Sequence, residues 1–84
     1  MANISAQLRS KLEHDPKATV RVIIQLKDEP TKHTRDLQTR GVAVRHVYSL
    51  TPSLAVEGPA SALLEFAEES WVESIEEDKT VHTM

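Results

Sequence analysis

Three kinds of residue in this 84-residue chain could carry chemistry: four histidines, a scatter of serines, and a run of acids close to the C-terminal end. The histidines, His14, His33, His46 and His82, fall in different segments. They form no i, i+4 pair of the kind by which a helix offers two imidazoles to one metal ion. Solvated histidines are the simpler reading, so neither a metal site nor a cofactor is expected. With no cysteine, disulfides and thiolate ligation are excluded. No serine sits in a nucleophile-elbow setting, and the two glycines, Gly41 and Gly58, are too few for a phosphate-cradling loop. One Trp, one Tyr and one Phe do not make the aromatic platform of an RNA-binding sheet. The expectation is a binding protein, not an enzyme.

The acids are more informative. The chain ends "SIEEDKTVHTM", in which an apolar anchor, Ile75, runs into Glu76, Glu77 and Asp78. Side chains alternate along a strand, so Glu76 and Asp78 share one side while Glu77 faces the other. The bland reading is a charged strand end that blocks edge pairing. The sharper one is that both carboxylates meet positive ends of something, such as helix N-termini on a partner, where free amides and the helix dipole favour an anion.

The rest of the chain must position this end. Its length suits one domain with one modest core, and 39% hydrophobic with 27% charged residues suits a globular chain. A net charge of −3 with dispersed Lys and Arg argues against nucleic acid as partner. No apolar run approaches the ~20 residues of a membrane span, and "MANISAQLRSKL" lacks the apolar stretch of a signal peptide.

"NISAQLRSKLEHDP" predicts a short helix capped by Asn3, with Ile4, Leu8 and Leu12 on one stripe and Pro16 marking its stop. "TVRVIIQLKDEP" predicts a strand, with Val20, Val22, Ile24 and Leu26 on one face and Arg21, Ile23, Gln25 and Lys27 on the other. "TKHTRDLQTRG" reads as a weak helix ending at Gly41. "VAVRHVYSL" is a second strand whose apolar residues change side, which a bulge near Arg45–His46 would explain. After the turn "TPS" come a short strand "LAVEG" and a helix "PASALLEFAEES". That helix has Pro59 at its first position and a stripe of Ala60, Leu63, Leu64 and Ala67. "WVESIEE" is the last strand.

Setting the first helix aside, the order is β-α-β-β-α-β. This predicts an α+β, ferredoxin-like fold: a four-stranded antiparallel sheet with two helices on one face, plus a short N-terminal helix and an extended C-terminal tail. The other sheet face, with Ile23 and part of the second strand, is left uncovered and is a candidate docking surface.

The run "AVEGPASALLEFAEESWVESIEEDKTVHTM" resembles the C-terminal half of the propeptides of subtilisin-like serine proteases and the related stand-alone subtilisin inhibitors. The family pattern is a short strand, a helix, a "V-x-x-V-E-x-D" strand and a tail. Here Val72, Ile75, Glu76 and Asp78 occupy that strand, and "EED" precedes six residues with a histidine, His82, third from the end. The likeness spans about residues 20–84, with "VRVIIQLKDEP" and "GVAVRHVYSL" matching the first two strands.

The resemblance implies three segments: an N-terminal helical extension over 1–18, an inhibitor domain over 19–78 and a protease-binding tail over 79–84. It implies that the open sheet face docks on two surface helices of a subtilisin-like serine protease, with Glu76 and Asp78 capping their N-termini. The tail then enters the active-site cleft as an added strand, with Met84 in S1, Thr83 in S2, His82 in S3 and Val81 in S4. The protein is expected to be monomeric when free. An excised prosegment would be secreted and would also act as an intramolecular chaperone; a stand-alone inhibitor would be cytoplasmic or secreted. The competing class is a small ferredoxin-like regulatory or oligomerisation module that associates through the open face without binding a protease.

Overall fold

The computed structural model describes residues 3–48 and 50–77. The elements are β1 (Asn3–Ile4), α1 (Ala6–His14), β2 (Thr19–Leu26), α2 (Thr34–Thr39), β3 (Ala43–Tyr48), β4 (Ser53–Pro59), α3 (Ala60–Phe66) and β5 (Val72–Glu77). A 3-10 turn, Pro30–Lys32, precedes α2. The architecture is α+β, one five-stranded sheet in the order β1-β5-β2-β4-β3.

That sheet corrects the expected four-stranded antiparallel one. The strands β5, β2, β4 and β3 pair antiparallel, but β1 joins the β5 edge in parallel, with Asn3 opposite Ser74 and Ile4 opposite Ile75. The physical reason lies in Ile4. Read as the first member of a helical stripe, it instead extends the apolar row of Ile75 across the sheet edge and packs on the core. Asn3 therefore does not cap α1. Ser5 does, its Oγ accepting the Leu8 amide at 3.1 Å, which satisfies one of the free donors of the first turn.

All three expected helices form, and the N-terminal one, set aside in the predicted arrangement, shares the core of the other two. Leu8 and Leu12 of α1 are buried in the same core as Leu37 of α2, Leu63 and Phe66 of α3, and the inward residues Val22, Ile24, Leu54, Val56, Val72 and Ile75 of the sheet. The strictly alternating β2 makes this possible: Val22 and Ile24 are fully buried while Arg21 and Gln25 are exposed. α1 packs against α3. The loop between α1 and β2 also serves α3, which has no side-chain cap. The Ala60 and Ser61 amides donate to the carbonyls of Ala18 and Pro16, each at 2.9 Å, so the helix start is satisfied by backbone.

Local sequence explains the remaining boundaries. Pro59, expected at the first helical position, is extended (φ −67°, ψ 141°) and closes β4 opposite Thr19. α3 ends at Phe66, four residues before the expected Ser70. α2 ends in a paired backbone motif: Gly41 at φ +85° donates to the Gln38 carbonyl at 3.1 Å, and Val42 donates to the Leu37 carbonyl at 2.9 Å. Only glycine adopts that φ cheaply, and the turn seats Val42 and Leu37 together in the core. β3 carries its bulge between Val44 and His46, as its pattern predicts. Gly58 faces inward beneath Val42, whose Cγ2 would lie 3.0 Å from an added Cβ.

Candidate functional site

The register fixes what the uncovered face presents. Across its middle run Glu76 (β5), Ile23 (β2), Ala55 (β4) and His46 (β3), each opposite the next. One row toward the start of β2, Arg21 stands opposite Glu57, and Glu57 opposite Ala43. One row the other way lie Ser74, Gln25, Ser53 and Tyr48. The Ser74 hydroxyl donates to the Gln25 side chain at 3.2 Å. The Tyr48 and His46 rings meet edge to face with centroids 4.5 Å apart. The face is thus a small apolar centre, Ile23 over Ala55, inside a polar frame.

Glu76 sits exposed on this face, opposite Ile23. Glu77 lies opposite Val22 on the helix side, where Lys11 of α1 pairs with it at 2.5 Å. The two neighbouring acids therefore have separate surroundings, as strand alternation requires. Asp78, the other expected helix cap, lies outside the described residues, as do Val81, His82, Thr83 and Met84 of the expected cleft-binding tail. Glu76 is the one member of the sequence-derived site that the structure places.

The opposite corner is basic. The bulge at Arg45 turns that side chain onto Glu57, with Nε donating at 2.9 Å and Nη2 at 2.7 Å to Oε1. Arg21 approaches the other oxygen of the same carboxylate at 3.7 Å. Two guanidinium groups share one acid here, so this corner carries net positive charge while the Glu76 edge carries negative charge. Sequence reasoning missed both this cluster and the Lys11–Glu77 pair. The bulge was legible, but which side chain it would re-aim was not.

A second polar cluster lies at the far end of β2. His33 stacks on Trp71 with centroids 4.0 Å apart and planes 6° from parallel. Trp71 in turn meets Phe66 edge to face at 5.8 Å, and Arg40 lies over Phe66 at 4.7 Å while pairing with Asp36 and Glu69. Asp28 receives the Glu29 amide at 2.7 Å, which, with Lys32 and His33 nearby, holds its carboxyl below the ordinary value of 3.8. The His33 Nε2 is buried and 3.6 Å from Asp28, beyond hydrogen-bond length. This cluster pins the start of α2 to the start of β5, and its exposed members are solvated ion pairs.

A groove of about 780 Å³ runs between α1 and the β1–β5 edge, lined by Ile4, Leu8, Lys11, Ile75 and Glu77 among others. Among the described residues no group of three or more His, Cys, Asp or Glu could hold a metal ion, and no helix is long and apolar enough to cross a membrane. No protein-family model matches the chain, and no curated protein sequence matches it.

Proposed function

We propose that the chain is an inhibitor of subtilisin-like serine proteases that docks by the open sheet face and lays its C-terminal tail, Val81 to Met84, into the active-site cleft. In this reading β2 to β5 with α2 and α3 form a ferredoxin-like unit, to which β1 and α1 are added. The antiparallel run β5-β2-β4-β3 supports it, as does the placement of every helix that contributes to the core on one side of the sheet.

The observation that carries the proposal is the division of labour at the end of β5. Glu77 is held by Lys11 on the helix side, and Glu76 stands exposed on the open face. β5 thus delivers the chain to the rim of that face with a carboxylate directed outward, the geometry needed to meet a helix N-terminus on a partner.

The mechanism follows from tethering. A free four-residue peptide binds weakly, but one attached to a docked domain acts at high effective concentration. Bound as an added strand, the tail would occupy the cleft, with Met84 an adaptable filler of S1. Proteolysis of the docked domain requires its opening, so fold stability sets the lifetime of inhibition.

Removing Val81–Met84 tests the tail. The full chain is expected to inhibit a subtilisin in a peptide-hydrolysis assay, and the truncated chain to lose at least ~100-fold in potency, the lower range of gains from linking two sites. Equal inhibition by both would refute the tail mechanism.

A further inference from the structure

We infer that the N-terminal segment is a brace on the exit of β5, and that Lys11 is a positioning residue for the tail that follows it. Three contacts from this segment converge on the last strand and the core beneath it. β1 lies parallel along the outer edge of β5, with Asn3 opposite Ser74 and Ile4 opposite Ile75. Ser5 then turns the chain into α1, its Oγ accepting the Leu8 amide at 3.1 Å and its carbonyl the Arg9 amide at 2.9 Å. Leu8 and Leu12 fix α1 in the core. Lys11 stands at the rim of their stripe, three positions after Leu8 and one before Leu12. From there it reaches across the groove to the Glu77 carboxylate at 2.5 Å.

The length of β1 explains why a side chain is needed. β1 has two residues, and its pairing stops at Ile75, two short of the end of β5 at Glu77. On the other side β2 continues, with Ile23 opposite Glu76 and Val22 opposite Glu77. A strand end laddered on one side alone is prone to local opening. Lys11 supplies a hold from the second side and sets a cation beside two successive acids. The pair joins residues 66 positions apart. By contrast, Arg9–Glu13, an i, i+4 pair at 3.8 Å on the same helix, ties α1 only to itself.

The brace is a property of the free chain; its use in inhibition rests on the protease reading. In that reading three residues separate the braced Glu77 from Val81, where the cleft-binding segment starts. A fixed origin raises the effective concentration of a short tethered segment and lowers the ordering cost of binding it. The Lys11 and Glu77 side chains are 55% and 36% exposed, so the pair contributes as a surface ion pair does, roughly 1.5- to 5-fold in an equilibrium constant.

The experiment compares the full chain with Lys11→Met, which keeps the aliphatic stem, Lys11→Arg, which keeps the charge, and Arg9→Met, which breaks the local pair instead. Native-state amide exchange at Glu76 and Glu77 is measured on the free chain, and the inhibition constant against a subtilisin on the same samples. Circular dichroism confirms that each variant is folded. In Lys11→Met the amide of this pair that bonds to β2 is expected to exchange roughly 1.5- to 5-fold faster, and the inhibition constant to rise by a similar factor. Lys11→Arg and Arg9→Met are expected to match the parent in both. Unchanged exchange in Lys11→Met, or an equal increase in Arg9→Met, overturns the brace. Faster exchange with an unchanged inhibition constant overturns the positioning role alone. A parent chain that does not inhibit overturns the protease reading and the positioning role with it, while the exchange rates still decide the brace.

Discussion

The two faces of one sheet are built from the same strands and obey different rules. On the helix side, Val22, Ile24, Leu54, Val56 and Ile75 are all at most 1% exposed and interlock with side chains from three helices. On the other side the same strands present Arg21, Gln25, Glu57 and Glu76 around one partly exposed isoleucine. The first face holds the molecule together by area removed from water. The second contributes little to folding, and this leaves its residues available for a partner. Substitutions should therefore separate the two faces by the size and kind of their effects.

The largest effect should come from Phe66→Ala. Phe66 is fully buried and the bulkiest core side chain, with Trp71 in a T-shaped contact and Arg40 over its ring. Truncation is expected to cost ~3–5 kcal/mol, a large share of the ~5–10 kcal/mol available to a domain of this size. Urea unfolding followed by circular dichroism would show the midpoint collapse. Next comes Leu12→Ala in α1, at ~2–4 kcal/mol. Leu12 is fully buried against the α3 side of the core. A change below ~0.5 kcal/mol would mean that α1 is an appendage, and that the helix-covered face ends at α3.

On the open face, Ile23→Thr should cost under ~1 kcal/mol, because the position is only partly buried and threonine keeps the β-branch. A loss comparable to that of Leu12→Ala would erase the contrast between the faces. Smallest is Asp28→Asn. The Glu29 amide, then Lys32 and His33, depress the Asp28 carboxyl below 3.8. A depressed carboxyl contributes stability that is present above its unfolded value and lost as pH falls through its folded one. The variant should be slightly less stable than the parent at pH 6, and the two should converge as the pH falls through the depressed Asp28 value. A constant difference across that range would assign the effect to packing instead.

The sequence was most readable where one periodicity had one cause. β2 alternates strictly, and its two faces fall where the pattern put them. The bulge in β3 was visible because Val42 and Val44 share a side that Val47 does not. Gly41 announced the end of α2. The N-terminal segment was not so readable, because Ile4, Leu8 and Leu12 fit a helical stripe even though Ile4 belongs to a strand. Two residues at a sheet edge leave no periodic signature, and only the long-range partner Ile75 decides the matter. Phe66 was overlooked for a related reason: Ala60, Leu63, Leu64 and Ala67 complete a stripe without it, yet it fills the centre. In the candidate site, alternation separated Glu76 from Glu77 correctly. The arginines around Glu57 depend on which way a bulge re-aims one side chain, and that is set in three dimensions.

The lone tryptophan has a practical consequence. Trp71 sits where β5 begins, flat against His33 at the head of α2 and edge-on to Phe66 at the foot of α3. Three separately folded pieces of chain thus converge on one indole. Its emission wavelength and near-ultraviolet dichroism form an intrinsic optical gauge of whether those pieces are assembled. Loosening of the α2 docking should show in that signal before the far-ultraviolet spectrum changes, so the order of melting within the domain can be followed without any label.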